Sequence, residues 1–282
     1  MFASARWAPR RLWMDVVHRL WRPHPPSRSW VKHARINGYH ILVLANEDVG
    51  CDIYCYRSFE RDETELIARL TRDDAVCIDV GANVGYYSLL FASRAPKGQI
   101  HCFEPVPRNF HLLSTSVLLN GFDNVVLNCC AVGNRDGHIG FTVSADSAYS
   151  SFLDTGRRTR AGTITVPVTT LSSYCQDRGL GRIDFLKIDV EGAEKLVLDG
   201  ASGCFGDTQL RPQVMMVELY EPMLERYGAS IDQIVSCLQD FGYAPFIVRR
   251  GRVMPFERQH RDRYWNVFFA ERRERLDRKS VV

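Results

Sequence analysis

From residue 75 to the C-terminus, short apolar runs alternate with stretches of helical period. That alternation limits the possible folds more than any other feature of the chain. "AVCIDV", "QIHCF", "NVVLNCCAV", "RIDFLKIDV", "PQVMMVELY", "APFIVRR" and "YWNVFFAE" read as strands. "VGYYSLLFASRA", "PRNFHLLSTSVLLNG", "TLSSYCQDRG", "AEKLVLDGA" and "IDQIVSCLQDFG" read as helices between them. Near-continuous apolar strands separated by helices predict an α/β fold, a mostly parallel sheet covered on both faces. Residues 134–168 break the rhythm with Gly, Ser, Asp and Thr, and predict a loop with a short β element.

Ahead of this region, residues 35–57 read as a β segment: "YHILVLAN", a turn at "EDVG", then "CDIYCY". "ETELIARL" reads as a short amphipathic helix. Residues 8–22 carry Leu12, Trp13, Val16, Val17, Leu20 and Trp21 on one helical stripe, with arginines largely elsewhere, and "PHPPS" then stops the helix. The expected organisation is a basic amphipathic arm over 1–30, an N-terminal β segment and helix over 31–74, and the α/β domain over 75–282.

The formal net charge is only +3, but the first 30 residues hold six arginines against Asp15 alone. The remainder is therefore slightly acidic, which argues against a nucleic-acid surface on the main domain. The Trp- and Arg-bearing arm suits either peripheral contact with an anionic membrane surface or docking on protein. No apolar run approaches a bilayer-spanning length, and the N-terminus lacks the apolar centre of a signal peptide. Nine cysteines, several inside apolar runs, predict reduced and mostly buried thiols in a cytoplasmic protein. Cys51 and Cys55 are spaced like half of a metal site, but no second pair matches them, so no zinc is expected.

The stretch "IDVGANVGYY", residues 78–87, is the chemically informative turn. In a parallel α/β sheet, ligands bind outside the carboxyl ends of the strands where strand order reverses. Gly81 and Gly85 permit a tight turn, with Asp79 before it and Ala82 and Asn83 inside it. Gly-x-Gly is absent, which argues against a dinucleotide, and no lysine follows to make a phosphate loop. Glu104, in "CFEP" with Pro105, stands 23 positions after Gly81 at the end of the next strand. A carboxylate there can accept from both ribose hydroxyls. Ribose binding without a phosphate cradle suits S-adenosylmethionine, with Asp79 holding its ammonium directly or through the loop.

"IDVGANVGYYSLLFA", "CFEPVPRNFHLLSTSVLLNG", "FLKIDVEGAEKLVLDGA" and "MMVELYE" together resemble the FkbM-type methyltransferases, over roughly residues 58 to 221. "KIDVEGAE" is the most specific block. The resemblance implies a class I, Rossmann-like doubly wound sheet of order 3-2-1-4-5-7-6 with strand 7 antiparallel, here with an N-terminal β/helix extension. It also implies an S-adenosylmethionine-dependent O-methyltransferase acting on a sugar, glycan or other small-molecule hydroxyl. A nicotinamide-dependent dehydrogenase and a non-catalytic binding protein that keeps the fold are the alternatives.

In "IDFLKIDVE", a period of two sets Ile183, Phe185, Lys187, Asp189 and Glu191 on one side. Charges at the end of an apolar strand are costly unless paired or used. Lys187 suits neutralising Asp189. Asp189 suits holding the cofactor's methionine end or orienting the acceptor. Glu191 suits either a general base or a favourable charge at the next helix's N-terminus. Glu218, ending the following core strand, is a pocket candidate or an arginine partner. Metal assistance would draw on Asp189, Glu191 and Glu218, but no metal is expected. The loop at 134–165, with Ser144 to Ser151 and Arg157, Arg158 and Arg160, is expected to shape the acceptor pocket.

Overall fold

The structure, a computed structural model, describes residues 30–146, 150–153, 156, 160–261 and 265–276. The arm helix expected over 8–22, and Arg157 and Arg158, lie outside the described residues.

Strands β1 (Val31–Ile36) and β2 (Tyr39–Leu44) form a hairpin. Its two linking residues, Asn37 and Gly38, both have positive φ, as a tight two-residue hairpin turn requires. "CDIYCY" is not the expected strand: it belongs to the helix Asp48–Tyr56. A run this short cannot separate period two from period 3.6. Packing decides it, because Gly50 and Ile53, one turn apart, both bury toward the core. Gly50 lies so close to β2 that a Cβ would fall 2.1 Å from the Leu44 carbonyl oxygen. The next helix, Arg61–Leu70, forms as its pattern predicts.

Eight strands make the main sheet: β3 (Val76–Val80), β4 (Gln99–Phe103), β5 (Val125–Asn128), β9 (Phe185–Ile188), β10 (Val214–Glu218), β11 (Ala244–Arg249), β12 (Arg252–Pro255) and β13 (Asn266–Ala270). Their order is β12-β11-β13-β10-β9-β3-β4-β5. β5, β4, β3, β9 and β10 are mutually parallel, whereas β13 runs antiparallel to both β10 and β11. After β3 the chain moves outward to β4 on one side, and it later returns to place β9 on the other. The reversal point is therefore the gap beyond the carboxyl ends of β3 and β9.

Alternate residues feed two cores. Cys77, Phe185, Met216 and Phe268 face the core that also holds Ile41, Leu44, Ile53, Leu66 and Ile67 of the N-terminal segment. Ile78, Leu186, Met215, Val217 and Phe269 face the opposite core, under the helices Leu171–Arg178, Glu194–Gly200 and Ile231–Asp240. The helix Tyr86–Arg94 lies between the sheet and the N-terminal hairpin, so Tyr86 through Ala92 are all buried.

Two expectations change around the middle of the chain. "NVVLNCCAV" divides into β5 and β6 (Ala131–Val132), which join different sheets. Residues 134–168 supply two long strands rather than a loop with a short element: β7 (Gly137–Ser144) and β8 (Arg160–Thr169). With β6 they form a separate sheet of order β6-β8-β7, packed around Val106, Phe141, Val166 and Val168.

Candidate active site

β3 leaves the sheet through a turn fastened to its neighbour. The N–H groups of Gly81 and Ala82 both donate to the Phe103 carbonyl, at 3.0 and 2.9 Å. Gly81, Asn83 and Gly85 all have positive φ. The two glycines answer to different contacts. A Cβ on Gly81 would fall 1.8 Å from the Asp189 carbonyl oxygen, whereas one on Gly85 would fall 2.4 Å from Leu113 Cδ1. Gly81 thus lets the β3 loop cross the β9 loop, and Gly85 lets its helix approach the helix Pro107–Asn120.

Glu104 organises the same turn. Its Oε2 accepts from the Asn83 N–H at 2.8 Å and its Oε1 from the Val106 N–H at 2.9 Å. Pro105 lies between them. The Asn109 side chain also interacts with the carboxylate, whose remaining lone-pair capacity can accept from a ligand. Burial pushes its pKa up to about 7, opposed by the Val106 and Asn83 hydrogen bonds.

Beneath the turn lies a charged layer with little access to solvent. Lys187 Nζ stands 3.2 Å from Asp189 Oδ2, 3.4 Å from Asp79 Oδ1 and 3.3 Å from the Gly81 carbonyl oxygen. It also lies 5.5 Å from the Tyr87 ring centre. Burial alone would depress this ammonium, but Asp189, Asp79 and Glu60 outweigh it and hold the pKa above the ordinary lysine range. Asp79 is fully buried and accepts from Ser88 Oγ at 2.6 Å. It is not among the residues that line the cavity.

A cavity of about 260 Å³ opens above this layer. One side is the turn itself, Gly81 to Val84, with Glu104, Pro105 and the segment Cys130–Val132. Lys187, Asp189, Glu191 and Glu218 form the floor between. Oxygens of Asp189, Glu191 and Glu218 all lie within 4.8 Å of one another. Burial, then the charges of Asp189, Glu191, Glu194 and Glu60, raise Glu218 well above the ordinary carboxylate range. Glu191 does not continue the strand alternation. β9 ends at Ile188, and Glu191 has a φ of 56°. The stabilising position at the following helix goes instead to Glu194, whose Oε1 accepts from the N–H groups of Val190 and Gly192 at 3.0 and 3.1 Å.

The opposite wall comes partly from the 134–165 region that the sequence pointed to and partly from residues for which the sequence offered no role. Asp48, Val49 and Asp52 project from the first helix, and Phe59 and Glu60 precede the second. Glu60 has a φ of 42° and accepts from Tyr87 Oη at 2.5 Å. Burial raises its pKa, with the Tyr87 hydrogen bond opposing. Phe141, Ser150, Ser151 and Phe152 reach in from the small sheet, and Trp265 stands beside Tyr220 at a ring separation of 4.7 Å. Ser151 Oγ lies 2.9 and 3.1 Å from the carbonyl oxygens of Val190 and Glu191 and 2.7 Å from Tyr227 Oη. That clasp ties the small sheet to the end of β9. Arg160 points elsewhere: it is exposed and bonds Thr163.

Residues 79–245 match the Methyltransferase FkbM domain. The chain belongs to that family. Among similar proteins, the 2-O-methyltransferase NoeI of Sinorhizobium fredii (strain NBRC 101917 / NGR234) is 28% identical over 175 residues, covering 57% of this chain and 71% of that protein. The 31-O-demethyl-FK506 methyltransferase FkbM of Streptomyces tacrolimicus is 28% identical over 219 residues, covering 66% and 76%. Among solved structures, M. jannaschii TYW2 in complex with AdoMet superimposes with a TM-score of 0.43 at 12% identity, over 86% of this chain and 85% of that one. Family membership makes the chain a methyltransferase and sets aside both the nicotinamide-dependent and the non-catalytic readings. S-adenosylmethionine is its cofactor, and the site fits that molecule. Glu104 would take the ribose hydroxyls with its spare lone pairs, and the Gly81–Asn83 backbone would flank the methionine portion. Much of the opposite wall of the cavity in this FkbM-family methyltransferase (Asp48, Asp52, Phe59, Glu60 and Trp265) lies outside the matched residues.

Proposed function

We propose that this methyltransferase alkylates a hydroxyl of a sugar, glycan or other small molecule. One observation carries the reading: a ribose-type carboxylate cradle and a cluster of three further carboxylates share one cavity at the ends of β4, β9 and β10. S-adenosylmethionine supplies an activated methyl group, so the protein's task is mainly to align the acceptor and accept its proton. Lys187 holds Asp189 in place, and Asp189 orients the acceptor. Glu191 and Glu218 are positioned to receive the hydroxyl proton. Phe59, Phe152 and Trp265 offer flat apolar surface to the acceptor's carbon skeleton.

Incubation of the full chain with methyl-labelled S-adenosylmethionine and a panel of glycosides, glycolipids and polyols tests this. Label recovered as a base-stable ether supports O-methylation; label recovered as an ester or on nitrogen opposes it. Two of the similar proteins, the 2-O-methyltransferase NoeI and the 31-O-demethyl-FK506 methyltransferase FkbM, favour hydroxyl acceptors.

No helix among the described residues is long and apolar enough to cross a membrane. A cytoplasmic enzyme held loosely on anionic lipid by residues 8–22 is part of the proposal. Each basic residue near such a surface contributes about 1 kcal/mol. Co-sedimentation with anionic liposomes should therefore fall when the chain begins at Ser29, and equal sedimentation of both forms would exclude lipid contact.

A further inference from the structure

Among the described residues, Cys51 and Cys55 belong to no cluster that could hold a metal ion, and the proposed methyl transfer does not use them. They lie one turn apart on the helix Asp48–Tyr56, both half-buried, with their sulfurs 3.8 Å apart. Neighbouring residues of this helix, Asp48, Val49 and Asp52, line the cavity. Cys175 and Cys204 also interact, but both are buried in the second core, closed to a bulky reagent. Cys77 and Cys102 are fully buried, and desolvation raises both thiols.

The geometry ties the state of this dithiol to the cavity wall. Side chains four residues apart on a helix have Cβ atoms about 5–6 Å apart. A disulfide needs them at about 3.5–4.5 Å. Joining Cys51 to Cys55 therefore tightens the turn that carries Asp52. The helix cannot roll away to absorb the change, because Gly50 is in close contact with the Leu44 backbone and Ile53 is fully buried. The displacement passes instead toward the helix C-terminus, where Arg57 already adopts a left-handed conformation and Phe59 and Glu60 follow in the wall.

We propose that Cys51 and Cys55 form an oxidisable dithiol, and that a small disulfide oxidant converts them to an intrahelical disulfide that reshapes the acceptor-side wall. One thiolate attacks a sulfur of the oxidant and expels a first thiol. The second cysteine then attacks the mixed disulfide and expels the other. The two cysteines give up two electrons and two protons, and the oxidant leaves as two thiols. The consequence for the acceptor rests on the function proposed above, whereas the oxidation itself does not.

Oxidised glutathione is the probe, used on the full-length native protein. Peptide mapping should recover a Cys51–Cys55 cross-link that dithiothreitol reverses. Hydrogen exchange over residues 48–60 should rise in the oxidised form. S-adenosylmethionine binding, followed by calorimetry, should persist, since Gly81 and Glu104 lie on other elements. Cys51→Ser/Cys55→Ser should lose both the cross-link and the exchange response. A stable glutathione adduct on either cysteine without a cross-link overturns the proposal. So does a cross-link that leaves exchange over 48–60 unchanged. Failure of the reduced protein to bind S-adenosylmethionine counts against the reading of the cavity instead, and mapping and exchange still decide the dithiol.

Discussion

Gly81 and Asp189 are in backbone contact across the sheet: a Cβ on the glycine would fall 1.8 Å from the aspartate carbonyl oxygen. The β3 turn and the loop that carries Asp189 and Glu191 therefore fix each other's position. Gly81→Ala cannot be accommodated by a side-chain movement, and its φ of 81° disfavours any L residue. We expect a loss of stability of about 1–3 kcal/mol, the usual range for forced overpacking, together with loss of cofactor binding. Denaturant unfolding and calorimetry check both. Gly85→Ala should be milder, because Leu113 Cδ1 can rotate away; equal effects would contradict this division of roles.

Glu104 gives a pH dependence. Its folded pKa of about 7 lies above the ordinary carboxylate value because burial favours the neutral form. In the unliganded protein this contribution to stability is fully present below the unfolded pKa and is lost as pH rises through about 7. Ribose hydroxyls donate to the ionised form, so cofactor affinity should change in the opposite sense, rising with pH over the same range and releasing a proton. Calorimetry in buffers of different ionisation enthalpy measures that proton. Glu104→Ala should weaken binding roughly 10- to 100-fold, from a charged hydrogen bond of about 1.5–3 kcal/mol, and should abolish the proton release.

Lys187 tests the buried layer. Lys187→Met leaves Asp79 fully buried without its cation, and breaking a buried pair in this way costs about 3–5 kcal/mol. Asp79→Asn in the same chain should recover part of the loss, and a double-mutant cycle by denaturant unfolding measures the coupling. If the single variant is as stable as the parent, the pairing seen here contributes nothing to folding.

Much of this arrangement is legible in the sequence because local rules and tertiary packing agree there. The βα alternation, the turn at Gly81 and the carboxylate at Glu104 follow from periodicity and spacing. Reading fails where a residue's role is set by something distant. "CDIYCY" is a helix because Gly50 meets Leu44, and the reason for Gly81 is Asp189, more than a hundred positions away. Nothing local to Glu60 reveals that it will accept from Tyr87 and line the cavity. Glu194 and Glu191 are indistinguishable by charge, and only the reversal of the chain after Ile188 assigns one to the loop and the other to the site. Trp265 precedes an ordinary strand, and its place in the wall appears only when β13 lies beside β10.

On the proposed function, the floor of the cavity should act on turnover rather than on cofactor binding. Asp189, Glu191 and Glu218 are crowded within 4.8 Å, while Glu104, the proposed ribose acceptor, follows a different strand, β4. Removing one charge from the cluster should therefore leave S-adenosylmethionine binding largely intact and act on the transfer step. A positioned base contributes about 10²- to 10⁴-fold. Glu191→Gln or Glu218→Gln should reduce kcat within that range for whichever residue receives the proton, with little change for the other. Asp189→Asn should mainly raise the acceptor KM, because it loses its pairing with Lys187 and with it its fixed orientation. Burial and neighbouring carboxylates hold Glu218 above the usual range, so neutralising Asp189 should also let Glu218 ionise at lower pH. If Glu218 is the base, the acidic limb of the rate profile should move to lower pH in Asp189→Asn and vanish in Glu218→Gln. If Glu191 is the base, the limb should survive in Glu218→Gln. Full turnover in all three variants would mean that alignment alone carries the reaction, and would remove the base from the mechanism.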